Sequence, residues 1–127
     1  MTDLVFASIT DNLFHGCEKW VDENVAYFCD VLGNELNNLV ESGVLKEDSR
    51  AVYYGPTVKE FLNFLNTHLT FTCHGQVKLR DEEPIIKVEG LYCGAGYSNS
   101  DIDDFLKFSM SSDVLRNEEI FLYSRWN

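Results

Sequence analysis

The chain has 127 residues, of which 45% are apolar and 13% aromatic, too large a share for a disordered protein. Its 21 acidic residues against 10 basic ones give a net charge of −11, and such a negative field repels nucleic-acid phosphates and anionic membrane surfaces. We therefore predict one compact acidic domain over residues 1–127 that contacts neither nucleic acid nor membrane directly.

The first third of the chain has helical periodicity. Apolar residues recur at steps of three and four from Leu13 to Val40, and most residues between them are polar. The pattern closes at Ser42 and Gly43, where the glycine can adopt the left-handed conformation that ends many helices. The sequence predicts one long amphipathic helix here, or two helices in tandem.

The middle of the chain predicts a helix followed by a hairpin. A β-branched and aromatic run at residues 51–54 is consistent with a short strand, and it stops at Gly55 and Pro56. Thr57 and Glu60 fit a capping box at the start of a helix. From Leu69 the apolar period changes to two, so residues 69–79 and 85–93 predict an antiparallel hairpin.

The last third predicts a loop, a helix and a strand. Residues 94–99 form the loop, a short helix opens at residues 100–103, and residues 119–126 are apolar and aromatic enough for a final strand. The predicted class is α+β. An N-terminal long helix or helix pair precedes an antiparallel sheet of three to four strands, and two further helices pack on one face of that sheet.

Cysteine and histidine residues do not form a metal motif. His15, Cys17, Cys73 and His74 match the donor types of a zinc site, but adjacent residues on a strand point to opposite faces, so no metal is predicted. The cysteines lack paired spacing, and the chain shows neither a signal peptide nor an apolar run long enough to cross a bilayer. We expect a cytoplasmic protein with reduced thiols.

Catalytic and cofactor motifs are similarly incomplete. Gly94 and Gly96 begin a dinucleotide-like fingerprint, but Asn99 stands where the third glycine belongs, so no cofactor is predicted. A thiol enzyme using Cys73 or Cys93, with His15, His68 or His74 as a base, requires a thiolate that a negative field disfavours. We predict that the chain is not an enzyme and keep the thiol enzyme as an alternative.

Acidic residues that lie close to aromatic ones are the most informative feature. Carboxylates speed the encounter with a basic protein, and aromatic side chains prolong the complex. Asp101 and Asp104 are also explained by the helix dipole, which favours negative charge in a first turn. The predicted partner-binding residues lie in the hairpin turn, in the loop and helix start after Cys93, and in the last strand: Asp81, Glu82, Glu83, Tyr97, Asp101, Asp103, Asp104 and Tyr123.

In size and charge alone the chain is similar to small acidic inhibitors of bacteria and phages, a likeness that covers no specific residues. The leading hypothesis is a protein that neutralises a basic partner by covering its active or nucleic-acid-binding surface, as an immunity protein does with a toxin nuclease. One alternative is a phage-type DNA mimic that inhibits a host defence or DNA-binding protein. Another is an adaptor or assembly subunit with an apolar interface.

Overall fold

The computed structural model describes residues 9, 11–14, 19–20, 25–80 and 83–127. At residues 19–20, 79–80 and 83 it describes the backbone alone. Residues 9 and 11–13 are helical. The remaining elements are β1 (Lys19–Trp20), β2 (Val25–Val31), α1 (Gly33–Glu41), α2 (Val58–Thr67), β3 (Thr72–Arg80), β4 (Glu83–Cys93), α3 (Asn99–Phe108), β5 (Val114–Asn117) and β6 (Leu122–Arg125).

The strands form one antiparallel sheet in the order β1-β2-β3-β4-β6-β5. Its longest ladder joins β3 to β4, from Thr72 opposite Tyr92 to Arg80 opposite Glu83. The α+β class and the antiparallel sheet are therefore confirmed. The described residues contribute six strands instead of the predicted three or four, because β1, β2 and β5 were not predicted.

The predicted N-terminal helix is wrong, both as one long helix and as a tandem pair, because residues 25–31 form β2. In this strand Ala26 and Phe28 are buried while Tyr27 is 49% exposed. Seven residues are too few to distinguish the helical repeat of about 3.6 residues from the strand repeat of about two. Pairing with β3 favours the extended form. Helix α1 is confined to Gly33–Glu41, and Gly43 follows it with the predicted left-handed φ of 80°.

The later helices are close to their predicted positions. Thr57 Oγ1 accepts a hydrogen bond from the Glu60 amide at 3.2 Å, and Glu60 Oε1 accepts one from the Thr57 amide at 3.1 Å, so this capping box is confirmed. Helix α3 is capped by Ser98, two residues before the predicted start. Residues 51–54 form a bend and a turn instead of a strand, and an isolated bridge from Arg50 to Thr57 closes this segment.

The helices pack on one face of the sheet over an aromatic core. Phe61 of α2 and Phe108 of α3 lie edge-on to Trp126, with ring centroids 5.7 Å and 5.9 Å from it. Trp126 is completely buried, and its amide donates to the Glu89 carbonyl at 2.7 Å. This bond ties the end of the chain to β4. On the opposite face of the sheet Tyr27, Ile85 and Tyr92 are 38–49% exposed, so no described helix covers that face, which we call the helix-free face.

Candidate functional site

Several strand ends meet at one end of the sheet. The ladders place Val31 opposite Cys73, Thr72 opposite Tyr92, and Cys93 opposite Leu122. The segments that enter or leave these strands must therefore lie side by side. We call this region the loop end and define it by residues 32–33, 68–71, 94–98 and 118–121.

Tyr97 connects two segments of the loop end. Its hydroxyl donates to the Glu119 carbonyl at 3.0 Å and lies 3.3 Å from the Glu118 carbonyl oxygen, and its half-buried ring packs against the core. The turn between β5 and β6 is thereby held beside the loop after β4. A groove of about 360 Å³ lies between them, lined by Gly94, Ala95, Gly96, Tyr97, Glu119 and Ile120.

The predicted acids of α3 lie at the start of this helix and have different local roles. Asp101 accepts a hydrogen bond from the Ser98 amide at 2.8 Å and so completes the helix cap. Asp104 Oδ2 is 2.9 Å from His68 Nε2, and Asp103 is exposed. Asp101, Asp103 and Asp104 therefore lie in the part of α3 that directly follows the Tyr97 loop.

Two further acids and two exposed apolar side chains extend this surface. Glu118 and Glu119 are exposed, and the neighbouring Ile120 is 75% exposed. On the α2–β3 connection Leu69 is 78% exposed and borders a second groove of about 280 Å³. The sequence placed Leu69 and residues 119–126 in strands, whereas β3 begins at Thr72 and β6 only at Leu122, and these residues were therefore not among the predicted binding residues.

The predicted hairpin acids do not join this surface. Glu83 pairs with Arg80 at the opposite end of the sheet, and β4 runs eleven residues from there to Cys93. At about 3.3 Å per residue, this separates the two ends by roughly 33 Å. Asp81 and Glu82 lie outside the described residues, as does the side chain of Glu83.

Tyr123 is near the loop end but on the helix-free face of the sheet. Its strand neighbours Leu122 and Ser124 are buried on the core side, so alternation turns the Tyr123 ring to the other side. There it stacks on His74, with ring centroids 4.8 Å apart and planes 4° apart. The structure thus places Tyr123 on a different face from Tyr97 and the α3 acids.

The surroundings of the His74 ring determine both its tautomer and its charge. Its Nε2 is 2.9 Å from the Ser124 carbonyl oxygen, which can only accept, so Nε2 carries the hydrogen and Nδ1 keeps a lone pair. Burial lowers the pKa of His74 to about 4, although the Ser124 bond opposes this shift and nearby Arg125 adds to it. His74 is therefore neutral at pH 7.

A cleft of about 320 Å³ lies beside this stack. Tyr92, opposite Tyr123 in the ladder and 38% exposed, forms part of its lining. Asp30 contributes a carboxylate from an exposed position with a left-handed φ of 59°. Among the described residues, the lining consists of Cys29, Asp30, His74, Tyr92 and Tyr123.

A buried acid lies further along the same face. Glu89 is 7% exposed and accepts a hydrogen bond from Gln76 Nε2 at 2.9 Å. Burial raises its pKa, while Gln76 and the cations Arg125, Lys87 and Lys78 act in the opposite direction. The positive charge of this face is therefore partly offset by a carboxylate placed among the cations.

The cysteines are arranged differently from the prediction. Cys29 is disulfide-bonded, so the prediction of reduced thiols is wrong for this residue. Cys73 and Cys93 are free and buried, and burial raises the pKa of Cys73. Cys73 faces the core while His74 faces the cleft. The described residues contain no group of three or more side chains that could hold a metal ion. His15 and Cys17 lie outside the described residues.

Within the described part of the chain, no helix is both long and apolar enough to cross a membrane. Comparison with protein-family models, curated proteins and solved structures gives no match to this chain. The functional interpretation therefore depends on geometry and charge alone.

Proposed function

We propose that this protein is a small acidic binding protein that neutralises a basic macromolecular partner through its loop end. The supporting observation is the pair of contacts from the Tyr97 hydroxyl to the Glu118 and Glu119 carbonyls. These contacts hold an acidic, partly apolar turn beside the acidic start of α3. The proposal keeps the partner class inferred from charge: a toxin nuclease or a nucleic-acid-binding protein.

The acids and the apolar residues have separate roles in this proposal. Opposite charges steer diffusing partners together, and this attraction weakens as salt shortens the Debye length, which is about 8 Å at physiological ionic strength. Ile120 and Leu69, both largely exposed, lose contact with water when the partner covers them. Burying one such side chain contributes roughly 1.5–3 kcal/mol, which slows dissociation.

An immunity protein against a basic toxin is the leading version of this proposal, and a DNA mimic that occupies a nucleic-acid-binding surface is the alternative. In both versions the chain is not an enzyme. The disulfide at Cys29 is typical of proteins in oxidising compartments, so this proposal does not retain the expected cytoplasmic location.

A second candidate is an adaptor or assembly subunit with an apolar contact. The exposed Leu69, Ile120 and Met110, the last 80% exposed, favour it. The two candidates differ in salt dependence, because an apolar contact barely responds to ionic strength and a charge-steered one weakens.

The third alternative, a thiol enzyme, receives no geometric support because Cys73 and Cys93 are buried. Alkylation of the native protein at pH 7, read by peptide mass, tests it directly. Both thiols should stay unlabelled until the protein is unfolded in urea. Rapid native labelling of Cys73 would favour the enzyme.

The test of the binding proposal uses two charge-reversed variants that differ only in location. In one, Glu118 and Glu119 are changed to lysine; in the control, the exposed Glu47 and Asp48 are changed to lysine. Each variant and the wild type are immobilised, basic proteins are captured from a lysate, and elution follows a salt gradient.

The expected result is one basic protein that is released as salt rises, is retained by the control and is lost by the Glu118→Lys, Glu119→Lys variant. If both variants lost the basic protein equally, the net charge of the chain, and not a defined surface, would be responsible for binding. A partner that survives high salt on every variant would favour the adaptor.

A further inference from the structure

We infer that the cleft beside the stacked His74 and Tyr123 rings is a subsite for one arginine side chain of a basic protein partner. This inference rests on the proposed function and deepens it by naming the chemical group that a second surface recognises. The cleft lies on the helix-free face of the sheet, next to the loop end.

The walls of the cleft suit a flat cation. Tyr123 is stacked within 4° of parallel on His74, and Tyr92 lies opposite it on the neighbouring strand. A guanidinium is planar and stacks on aromatic faces, which the more compact ammonium of lysine does less well. The volume of about 320 Å³ is at the small end for ligand pockets, so a single side chain fits better than a larger molecule.

Several polar atoms of the lining can accept a hydrogen bond. Asp30 supplies a carboxylate, the tyrosine hydroxyls can accept, and Nδ1 of neutral His74 keeps its lone pair because Nε2 donates to Ser124. A guanidinium has five N–H donors and no acceptor, so it complements such a lining. A carboxylate or phosphate ligand would instead face Asp30 and be repelled.

Three cations lie on the same face as the cleft: Arg125, Lys87 and Lys78. All three are near the carboxylate of Glu89, which offsets part of their charge. Asp30, at the cleft itself, forms no ion pair with any described residue. The whole chain carries a net charge of −11, so its long-range field favours an approaching cation, and Asp30 is the carboxylate that the cation meets in the cleft.

The position of the cleft allows one partner to reach both surfaces. Tyr92 directly precedes Cys93, where the loop end begins, and its ring stacks on Phe121 of the β5–β6 turn with centroids 6.3 Å apart. The turn that carries Glu119 and Ile120 is thus in contact with the lining of the cleft. A basic partner seated on the loop end can extend an arginine into it.

The experiment is an NMR titration of the wild-type chain with three capped tripeptides, Gly-Xaa-Gly, in which Xaa is arginine, lysine or citrulline. Citrulline matches arginine in shape but has no charge. The arginine peptide should shift signals of residues 29–30, 74, 92 and 123. It should bind about tenfold more tightly than the citrulline peptide, since a charge-assisted hydrogen bond is lost without the charge.

Two variants and one control locate the effect. Asp30→Asn removes the charge at a residue whose left-handed conformation asparagine tolerates, and Tyr92→Leu removes an exposed ring. Each should weaken binding of the arginine peptide by about tenfold, while Asp48→Asn, at an exposed position in the α1–α2 connection, should leave it unchanged.

Equal binding of the citrulline and arginine peptides, or unchanged binding by the Asp30→Asn variant, would overturn the inference. So would tighter binding of the free polyamine spermidine than of the arginine peptide, because the ligand would then be a small amine. These outcomes are independent of the proposed function, which is tested by capture through Glu118 and Glu119.

Discussion

The imidazole of His74 stacks on the phenol ring of Tyr123, with the ring centroids 4.8 Å apart. The stack is possible because Gly90 lies beneath it: a Cβ built on Gly90 would come within 2.6 Å of His74 Nε2 and 1.8 Å of the Ser124 carbonyl oxygen. Gly90 in β4 therefore allows the His74 ring of β3 to reach the Tyr123 ring of β6. This contact in turn determines the shape of the cleft.

We expect Gly90→Ala to lower the free energy of unfolding by at least about 2 kcal/mol, because the added methyl group meets a carbonyl that cannot move without breaking the β4–β6 ladder. Urea unfolding followed by fluorescence measures this. Gly43→Ala is the control, since its Cβ would meet nothing within 4 Å and only the left-handed φ would cost about 1 kcal/mol. A Gly90→Ala protein as stable as wild type would mean that His74 does not lie over Gly90.

We expect acid to destabilise the protein through His74. Its folded pKa of about 4 lies below the usual value near 6.5, so the unfolded chain takes up the proton first. The contribution is fully present above pH 6.5 and falls by roughly 3 kcal/mol as the pH drops to 4. The measurement compares urea unfolding of wild type and His74→Gln at pH 7 and pH 4. Equal losses in the two proteins would contradict the low pKa.

We expect Ser98→Ala to cost about 1 kcal/mol of stability, because the Ser98 hydroxyl accepts from the Asp101 amide at 3.1 Å and caps α3. Ser100→Ala, in the first turn of the same helix, should change stability by less than about 0.5 kcal/mol. Thermal unfolding of both variants gives the comparison. If Ser100→Ala were the more damaging change, the helix would begin where the sequence predicted.

We expect Tyr97→Phe to cost about 1 kcal/mol, because it removes the hydroxyl that contacts the β5–β6 turn while keeping the ring. Amide hydrogen exchange should quicken at residues 118–121, and binding of the basic partner should weaken. Tyr53→Phe, at a position 90% exposed, should change neither property. Unchanged exchange in Tyr97→Phe would show that the turn does not depend on Tyr97.

The sequence by itself determined the features that depend on neighbours a few residues away. The capping box at Thr57 and Glu60, the left-handed Gly43, the hairpin of β3 and β4 and the acidic start of α3 all followed from local spacing and local hydrogen bonding. Composition also established the negative field, which is the basis of the proposed function.

Only the tertiary structure decided which of these features share a surface. Residues 25–31 satisfy both helical and extended spacing, and their pairing with β3 makes them a strand. Tyr97 and Tyr123 are both close to acids in the sequence, but Tyr97 binds the β5–β6 turn while strand register turns Tyr123 onto His74. The physical reason is that pairing and register depend on contacts between segments far apart in the chain, which no local pattern records.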